Sequence, residues 1–163
     1  MAHARADRLG RPLQGTVLVV DDQEGMRALL RALLENSYDV AEADSGAALH
    51  RALEQAQPDV VLLDLKLPDA NGLSLLPAIN KRWPGTQVVM LTGAPSGSEA
   101  LTAALQGASA GAFTVLPKSA EFNIQTVLAA VDQAMERRRH AARSAAAPGS
   151  PLAAVKAPEL AQE

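Results

Sequence analysis

The chain lacks cysteine and has few aromatic residues: one tryptophan, one tyrosine and two phenylalanines among 163 residues. Without cysteine it can form no disulfide, thiolate metal site or cysteine nucleophile. The formal net charge of −3 gives no bulk electrostatic reason to bind nucleic acid. Its apolar runs are shorter than the roughly 20 residues that cross a bilayer, and residues 1–15 are polar, unlike a secretory signal. We therefore expect a cytoplasmic protein with no membrane segment and no direct nucleic-acid binding.

The chain does contain short apolar runs that alternate with segments of helical period. Five such runs, bounded by polar turns, are typical of buried parallel strands and lie at about 16–20, 40–43, 59–63, 87–91 and 112–116. Apolar residues at helical spacing predict helices at about 24–36, 45–56 and 72–82, a fourth from Ser96 and a fifth from Ala120. This alternation predicts an α/β fold: a doubly wound, flavodoxin-like, five-stranded parallel sheet in the order 2-1-3-4-5, with helices on both faces.

The two ends of the chain do not follow this alternation. Residues 1–14 contain Gly10 and Pro12 and have no apolar period, which predicts a flexible leader. Residues 143–163 are rich in alanine and proline and have no core pattern, which predicts a disordered tail. The folded domain is therefore expected over residues 15–142.

Polar side chains stand where the predicted strands stop. Asp21 and Asp22 follow the first strand, Asp64 the third, Thr92 the fourth and Lys118 the fifth. Ligands of open parallel sheets bind at the carboxyl ends of the strands, so three carboxylates, a hydroxyl and an ammonium should converge in one crevice. Taken alone, each of these residues is more often a turn, cap or solvated residue. Together they predict a site for a divalent cation and a phosphoryl group.

Four motifs in this order resemble the receiver domain of bacterial two-component response regulators. They are Leu18-Val19-Val20-Asp21-Asp22, the stretch from Asp64 to Gly72 (DLKLPDANG), Leu91-Thr92-Gly93 and Leu116-Pro117-Lys118. The resemblance covers about Gly15 to His140 and implies a stand-alone receiver in which Asp64 accepts a phosphoryl group. Thr92 and Lys118 are then expected to bind phosphoryl oxygens, the former by its hydroxyl and the latter by its charge.

The resemblance also implies a cofactor and partners. Mg²⁺ would be bound directly by Asp22 and Asp64, largely through water by Asp21, and by the backbone carbonyl of Lys66. The expected phosphoryl donor is a sensor histidine kinase or a histidine phosphotransfer protein, and output would come through protein contact or onward transfer. A phosphorylation-dependent homodimer is left open. Beyond its own phosphorylation and dephosphorylation, the protein is not expected to be an enzyme.

Three features depart from the family pattern. Val115 stands where the family usually has an aromatic residue, which argues against the usual aromatic rotamer switch; Phe113 is expected on the same face of the strand. Proline precedes Lys118 instead of following it, and Ser119 is predicted to N-cap the last helix. The stretch from Thr92 to Lys118 is about one helical turn longer than usual.

Three other interpretations stay open at this point. Val115 and the longer segment would also suit a pseudo-receiver adaptor that never takes up phosphate. A hydrolase of the haloacid-dehalogenase type would want a second acidic residue where Lys66 stands. The chain could also be the N-terminal piece of a longer regulator, with residues 145–163 as its linker.

Overall fold

Five parallel strands form the sheet in the part of the chain that the structure describes. In this computed structural model, which describes residues 5–93, 102, 106–118 and 123–146, the strands are β1 (Thr16–Val20), β2 (Asp39–Ala43), β3 (Val60–Asp64), β4 (Gln87–Thr92) and β5 (Thr114–Pro117). Their order is β2-β1-β3-β4-β5, and every neighbouring pair is parallel. The predicted fold class and strand order are confirmed.

Helices connect the strands, as the periodicity predicts. They are α1 (Glu24–Leu34), α2 (Gly46–Ala56), α3 (Gly72–Arg82) and α4 (Ile124–Ala146). Ser45 caps α2 as predicted, because its side chain accepts a hydrogen bond from the backbone N–H of Ala48 at 3.1 Å. Between β4 and β5 the chain is helical at 102 and 106–109, whereas the predicted capping pair Ser96 and Glu99 lies outside the described residues.

The strands are almost continuously apolar because they have a core on each face. The first core lies against α1 and α4 and includes Val19, Leu62, Val89, Leu30 and Val131. The second lies against α2 and α3 and includes Leu18, Leu63, Met90, Leu49 and Ile79. Successive strand residues alternate between these two cores. Among the described residues, no helix is both long and apolar enough to cross a membrane.

The last helix begins later than predicted. The side chain of Asn123 accepts a hydrogen bond from the N–H of Gln125 at 2.8 Å and so caps α4, whereas the predicted cap Ser119 lies outside the described residues. Helical spacing with Val127 and Val131 predicts that Ile124 is buried, but Ile124 is 43% exposed. The buried stripe of α4 begins one turn later, at Val127. The helix extends to Ala146. The domain boundary at 142 stays a prediction.

Helical spacing of the apolar residues predicts that Ala56 and Ala108 face inward, but both are exposed. Ala56 is the last residue of α2, and Ala108 lies in the final helical turn before the positive-φ residue Gly111. Both positions follow the helical period, but each lies in a final helical turn.

Residues 5–14, part of the expected flexible leader, form a small hairpin. The N–H of Asp7 donates to the carbonyl of Arg11 at 2.8 Å, which closes its turn. Arg5 pairs with Asp39 of β2 at 2.9 Å, so the hairpin contacts the edge strand of the sheet. Flexibility of the leader in solution stays a prediction.

Candidate functional site

Three carboxylates lie together at the carboxyl edge of the sheet. β1 and β3 are neighbours, so Asp21 and Asp22 after β1 come close to Asp64 at the end of β3. One carboxylate oxygen from each of the three lies within 4.8 Å of the others. Asp21 is 0% exposed and Asp64 is 6% exposed, whereas Asp22 is open to solvent.

A lysine neutralises part of this negative charge. Lys118 Nζ donates to Oδ2 of Asp21 and lies 3.3 Å from Oδ2 of Asp64, and its side chain is only 10% exposed. The N–H of Lys118 also donates to the carbonyl of Thr92 at 2.6 Å, which extends the pairing of β4 and β5 up to the site. The ammonium is therefore held inside the acidic cluster by both its side chain and its backbone.

The carboxylates of Asp21 and Asp22 have different surroundings. Oδ1 of Asp21 accepts from the N–H of Gln23 at 2.9 Å, while its Oδ2 accepts from Lys118. Both oxygens of Asp21 are thus engaged by protein donors. Asp22 instead lines an open cleft of about 380 Å³ with Asp64, and the other lining residues are Gln23, Met26, Lys66, Gly93 and Lys118.

Burial raises the pKa of the Asp64 carboxyl group above its ordinary value, because desolvation disfavours the charged form. The positive charge of Lys118 opposes this rise, and the negative charge of Asp21 adds to it. A cation bound in the cleft would favour the ionised form of Asp64. Ionisation of Asp64 and binding of a cation in the cleft would therefore favour each other.

Backbone bonds hold the loop after Asp64 in one shape. The N–H of Leu65 donates to the carbonyl of Leu91 at 2.9 Å, and the N–H of Gly72 donates to the carbonyl of Leu65 at 2.7 Å. Gly72 has no room for a side chain, because a Cβ there would lie 2.6 Å from the carbonyl oxygen of Asp64. The start of α3 thus packs directly against the backbone of the central carboxylate.

Thr92 lies at the end of β4, where the sequence predicts it, and is buried. The next residue, Gly93, lines the cleft, and residue 94 lies outside the described residues. Four of the predicted site residues, Asp22, Asp64, Lys66 and Lys118, thus line one cleft. Asp21 lies buried behind it and is bonded to Lys118, and Thr92 lies at the adjoining strand end.

Two residues at the site were missed by the sequence analysis. Asp69 accepts hydrogen bonds from the N–H groups of Gly46 and Ala47 at 2.7 and 3.0 Å, so it ties the loop after Asp64 to the start of α2. Arg27 donates to the carbonyl of Asp21 at 2.7 Å. An acidic residue that caps a distant helix, such as Asp69, gives no local sequence signal. For Arg27 the available signal is its place one turn into the helix that follows the acidic pair.

The sequence profile of the response regulator receiver domain matches residues 17–136. The chain belongs to this family. It is similar to the DNA-binding transcriptional regulator NtrC of Escherichia coli (strain K12), with 36% identity over 123 residues, which are 75% of this chain and 25% of that protein. It is also similar to NtrC of Azospirillum brasilense, with 31% identity over 121 residues, which are 74% of this chain and 24% of that protein.

Solved structures of receivers have the same fold. A CheY-like response regulator receiver domain protein from Methanospirillum hungatei JF-1 has a TM-score of 0.68 at 26% identity, covering 77% of this chain and 96% of that chain. The beryllofluoride-activated NtrC4 receiver domain dimer has a TM-score of 0.68 at 27% identity, covering 76% of this chain and 98% of that chain. This chain spans about a quarter of the length of the NtrC relatives.

This receiver departs from the family pattern at β5. A Cβ at Gly107 would lie 2.5 Å from Cγ2 of Val115, so the helical segment before β5 lies directly against that side chain. Phe113 was expected on the same face as Val115, but it packs against the first core while Val115 packs against the second. The expectation is wrong because β5 begins at Thr114 and the strand alternation does not reach Phe113.

Proposed function

We propose that this receiver accepts a phosphoryl group on Asp64 in a reaction that requires a divalent cation. The observation that carries the proposal is the convergence of Asp21, Asp22 and Asp64 with the ammonium of Lys118, beside an open cleft that Asp22, Asp64 and Lys118 line. A structural salt bridge would need one carboxylate and one cation. A surplus of two carboxylates, one of them facing solvent, favours a site that receives further positive charge.

The donor set suits Mg²⁺. Every candidate ligand is an oxygen, and two carboxylates with several waters are the usual arrangement for this ion. We infer that Asp22 and Asp64 hold it directly and that Asp21, engaged by Gln23 and Lys118, acts through water. The carbonyl of Lys66, a residue that lines the cleft, would complete the protein ligands. When bound, Mg²⁺ supplies neutralising charge to the phosphoryl oxygens.

The transfer step is a displacement at phosphorus. A carboxylate oxygen of Asp64 forms a bond to the phosphorus atom while the bond from phosphorus to the imidazole nitrogen of a donor phosphohistidine breaks. The imidazole keeps the electron pair, and the product on Asp64 is an acyl phosphate. Lys118 is already 3.3 Å from Asp64, so it can donate to an oxygen of the arriving group without a large movement. The hydroxyl of Thr92, at the neighbouring strand end, is the proposed donor to another phosphoryl oxygen.

We infer that the donor is the phosphohistidine of a sensor kinase or phosphotransfer protein. We also infer that output comes through protein contact, including a homodimer, or through onward transfer, with no separate substrate turned over. The DNA binding in the name of NtrC is not carried over, because the chain matches about a quarter of that protein. That this chain matches about a quarter of NtrC favours the alternative that it is a piece of a longer regulator. The cytoplasmic location and the lack of direct nucleic-acid binding stay predictions.

Intact-mass spectrometry after incubation with acetyl phosphate, with and without Mg²⁺, tests the proposal. We expect a phosphoryl adduct that requires Mg²⁺ and is lost in Asp64→Asn. Asp44→Asn is the matched control, because Asp44 is an exposed carboxylate directly after β2 at the same edge of the sheet. Absence of the adduct, under conditions that label a control receiver, would contradict the proposal and favour the pseudo-receiver adaptor.

A further inference from the structure

The side chain of Arg27 links α1, β2 and the acidic turn after β1. Its Nη1 donates to the main-chain carbonyl of Asp21 at 2.7 Å, and its Nε donates to Oε1 of Glu42 at 3.1 Å. The side chain is 17% exposed, although it lies on the outer part of α1. An arginine can make both bonds at once because its donors are arranged in a rigid planar fork.

The bond to Asp21 fixes one peptide plane at the site. The carbonyl of Asp21 belongs to the peptide that joins Asp21 to Asp22, and the N–H of Asp21 donates to the carbonyl of Ala43 at 3.1 Å. The side chain of Asp21 is held by Gln23 and Lys118. Asp21 is thus bonded at its N–H, its side chain and its carbonyl, and the bond to the carbonyl holds the peptide that leads to Asp22.

Glu42 in turn is held by two arginines. Oε1 accepts from Arg27, and Oε2 accepts from Nε of Arg31 at 2.6 Å. Arg31 lies one turn further along α1 and contacts the same carboxylate. The two arginines therefore share the ion pair with Glu42 and differ in that Arg27 also binds the carbonyl of Asp21.

We propose that Arg27 is a positioning residue for the metal site: held by Glu42, it fixes the Asp21–Asp22 peptide so that the carboxylate of Asp22 faces the cleft. This inference deepens the proposed function and rests on it. Arg27 contacts neither the cation nor the phosphoryl group in this proposal. It acts only through the backbone that carries a ligand.

Positioning and simple electrostatics predict opposite changes in cation affinity when Arg27 is removed. Removal of a positive charge beside an acidic cluster strengthens cation binding by Coulomb attraction, although solvent screens the effect. Loss of positioning weakens cation binding, because Asp22 is no longer held toward the cleft. Mutation of residues that orient metal ligands typically lowers affinity by about 10–100-fold, and we expect about tenfold here because the contact is through the backbone.

The test is the Kd for Mg²⁺, measured by calorimetric titration of the whole chain, wild type, Arg27→Met and Arg31→Met. Arg27→Met is expected to bind Mg²⁺ about tenfold more weakly than wild type. Arg31→Met, which removes the same charge and a bond to the same glutamate, is expected to bind Mg²⁺ as tightly as wild type or more tightly. Urea unfolding without Mg²⁺ checks that each variant is folded, and Arg27→Gln replaces Arg27→Met if the latter does not fold.

Equal or tighter Mg²⁺ binding by a folded Arg27→Met would overturn the inference, and so would equal weakening by Arg31→Met. Either result would leave phosphorylation of the wild type untouched. Conversely, a wild type that binds Mg²⁺ and takes up no phosphoryl group would refute the proposed function, and the comparison of the Kd values would still decide the role of Arg27. A wild type without Mg²⁺ binding would overturn both.

Discussion

Gly72→Ala tests the packing of α3 against β3, the strand that ends in the proposed phosphoacceptor Asp64. The added Cβ would lie 2.6 Å from the carbonyl oxygen of Asp64, 3.0 Å from Cε of Met90 and 3.1 Å from Cα of Leu65. The methionine end can rotate away, but two of the three neighbours are main-chain atoms that move only with β3 or its loop. Overpacking of this kind typically costs about 1–3 kcal/mol, and the rigid contacts favour the upper end.

Alanine also gains about 1 kcal/mol over glycine in a helix, so the net loss expected for Gly72→Ala is about 2 kcal/mol. Gly25→Ala is the matched control. Gly25 lies in the first turn of α1, and a Cβ there meets nothing within 4 Å. We expect this control to be unchanged or more stable by up to about 1 kcal/mol. The two variants should therefore differ by about 2–3 kcal/mol in the free energy of unfolding.

Urea unfolding followed by the fluorescence of Trp83 measures this difference, because Trp83 is the only tryptophan of the chain and is buried. Gly72→Ala should also take up phosphoryl groups more slowly, since the displaced backbone carries Asp64. Equal stability of the two variants would show that the start of α3 is not packed tightly against β3.

Three further predictions concern the site and the core. Asp69→Ala should lower the urea midpoint at neutral pH, because the amides of α2 lose their acceptor. Those amides hold the pKa of Asp69 below its ordinary value of 3.8. The carboxylate therefore stabilises the fold above pH 3.8, and this stabilisation is lost as the pH falls below it. The urea midpoints of wild type and variant should converge in acid. Lys118→Met should bind Mg²⁺ more tightly in calorimetry, because the ammonium no longer competes with the cation for the carboxylates of Asp21 and Asp64. The variant should nevertheless be phosphorylated more slowly in the mass assay, because the phosphoryl group loses a donor. Leu62→Ala, at a fully buried position between β1 and β4, should lose about 3 kcal/mol of unfolding free energy in urea.

The strands and the main site residues could be predicted because their signals are local. Apolar runs buried on both faces stop where the chain turns, and the polar residue after each stop lies at the carboxyl edge of the sheet by the geometry of parallel strands. The bounds predicted for α3, Gly72 to Arg82, agree with the structure because Asn71 caps one end and Trp83-Pro84-Gly85 breaks the other.

Features that depend on contacts between distant segments could not be predicted. Arg27 is an ordinary helix residue by its sequence context, and only the fold shows that it reaches the carbonyl of Asp21 and the carboxylate of Glu42. Asp69 looks like a turn residue, and its capping of α2 depends on the position of a helix more than twenty residues earlier. Such bonds are decided by tertiary packing.

The start of α4 and the place of Phe113 were mispredicted for a different reason. The helical period does not hold through the first turn of α4, and the strand alternation does not hold before β5. Helical period alone put Ile124 in the core, although Asn123 begins the helix there and leaves its first turn exposed. Strand alternation predicts Phe113 on the face of Val115, but Phe113 lies one residue before β5 begins.

The central claim is that Asp64, and no other carboxylate, carries the phosphoryl group. Borohydride reduces an acyl phosphate to an alcohol, so the acceptor aspartate of the phosphorylated chain becomes homoserine and can be located by peptide mass spectrometry. If Asp64 is the acceptor, conversion occurs at Asp64, depends on Mg²⁺, and is absent at Asp21 and Asp22. Conversion at another aspartate, or at none in a chain that binds Mg²⁺, would contradict the claim.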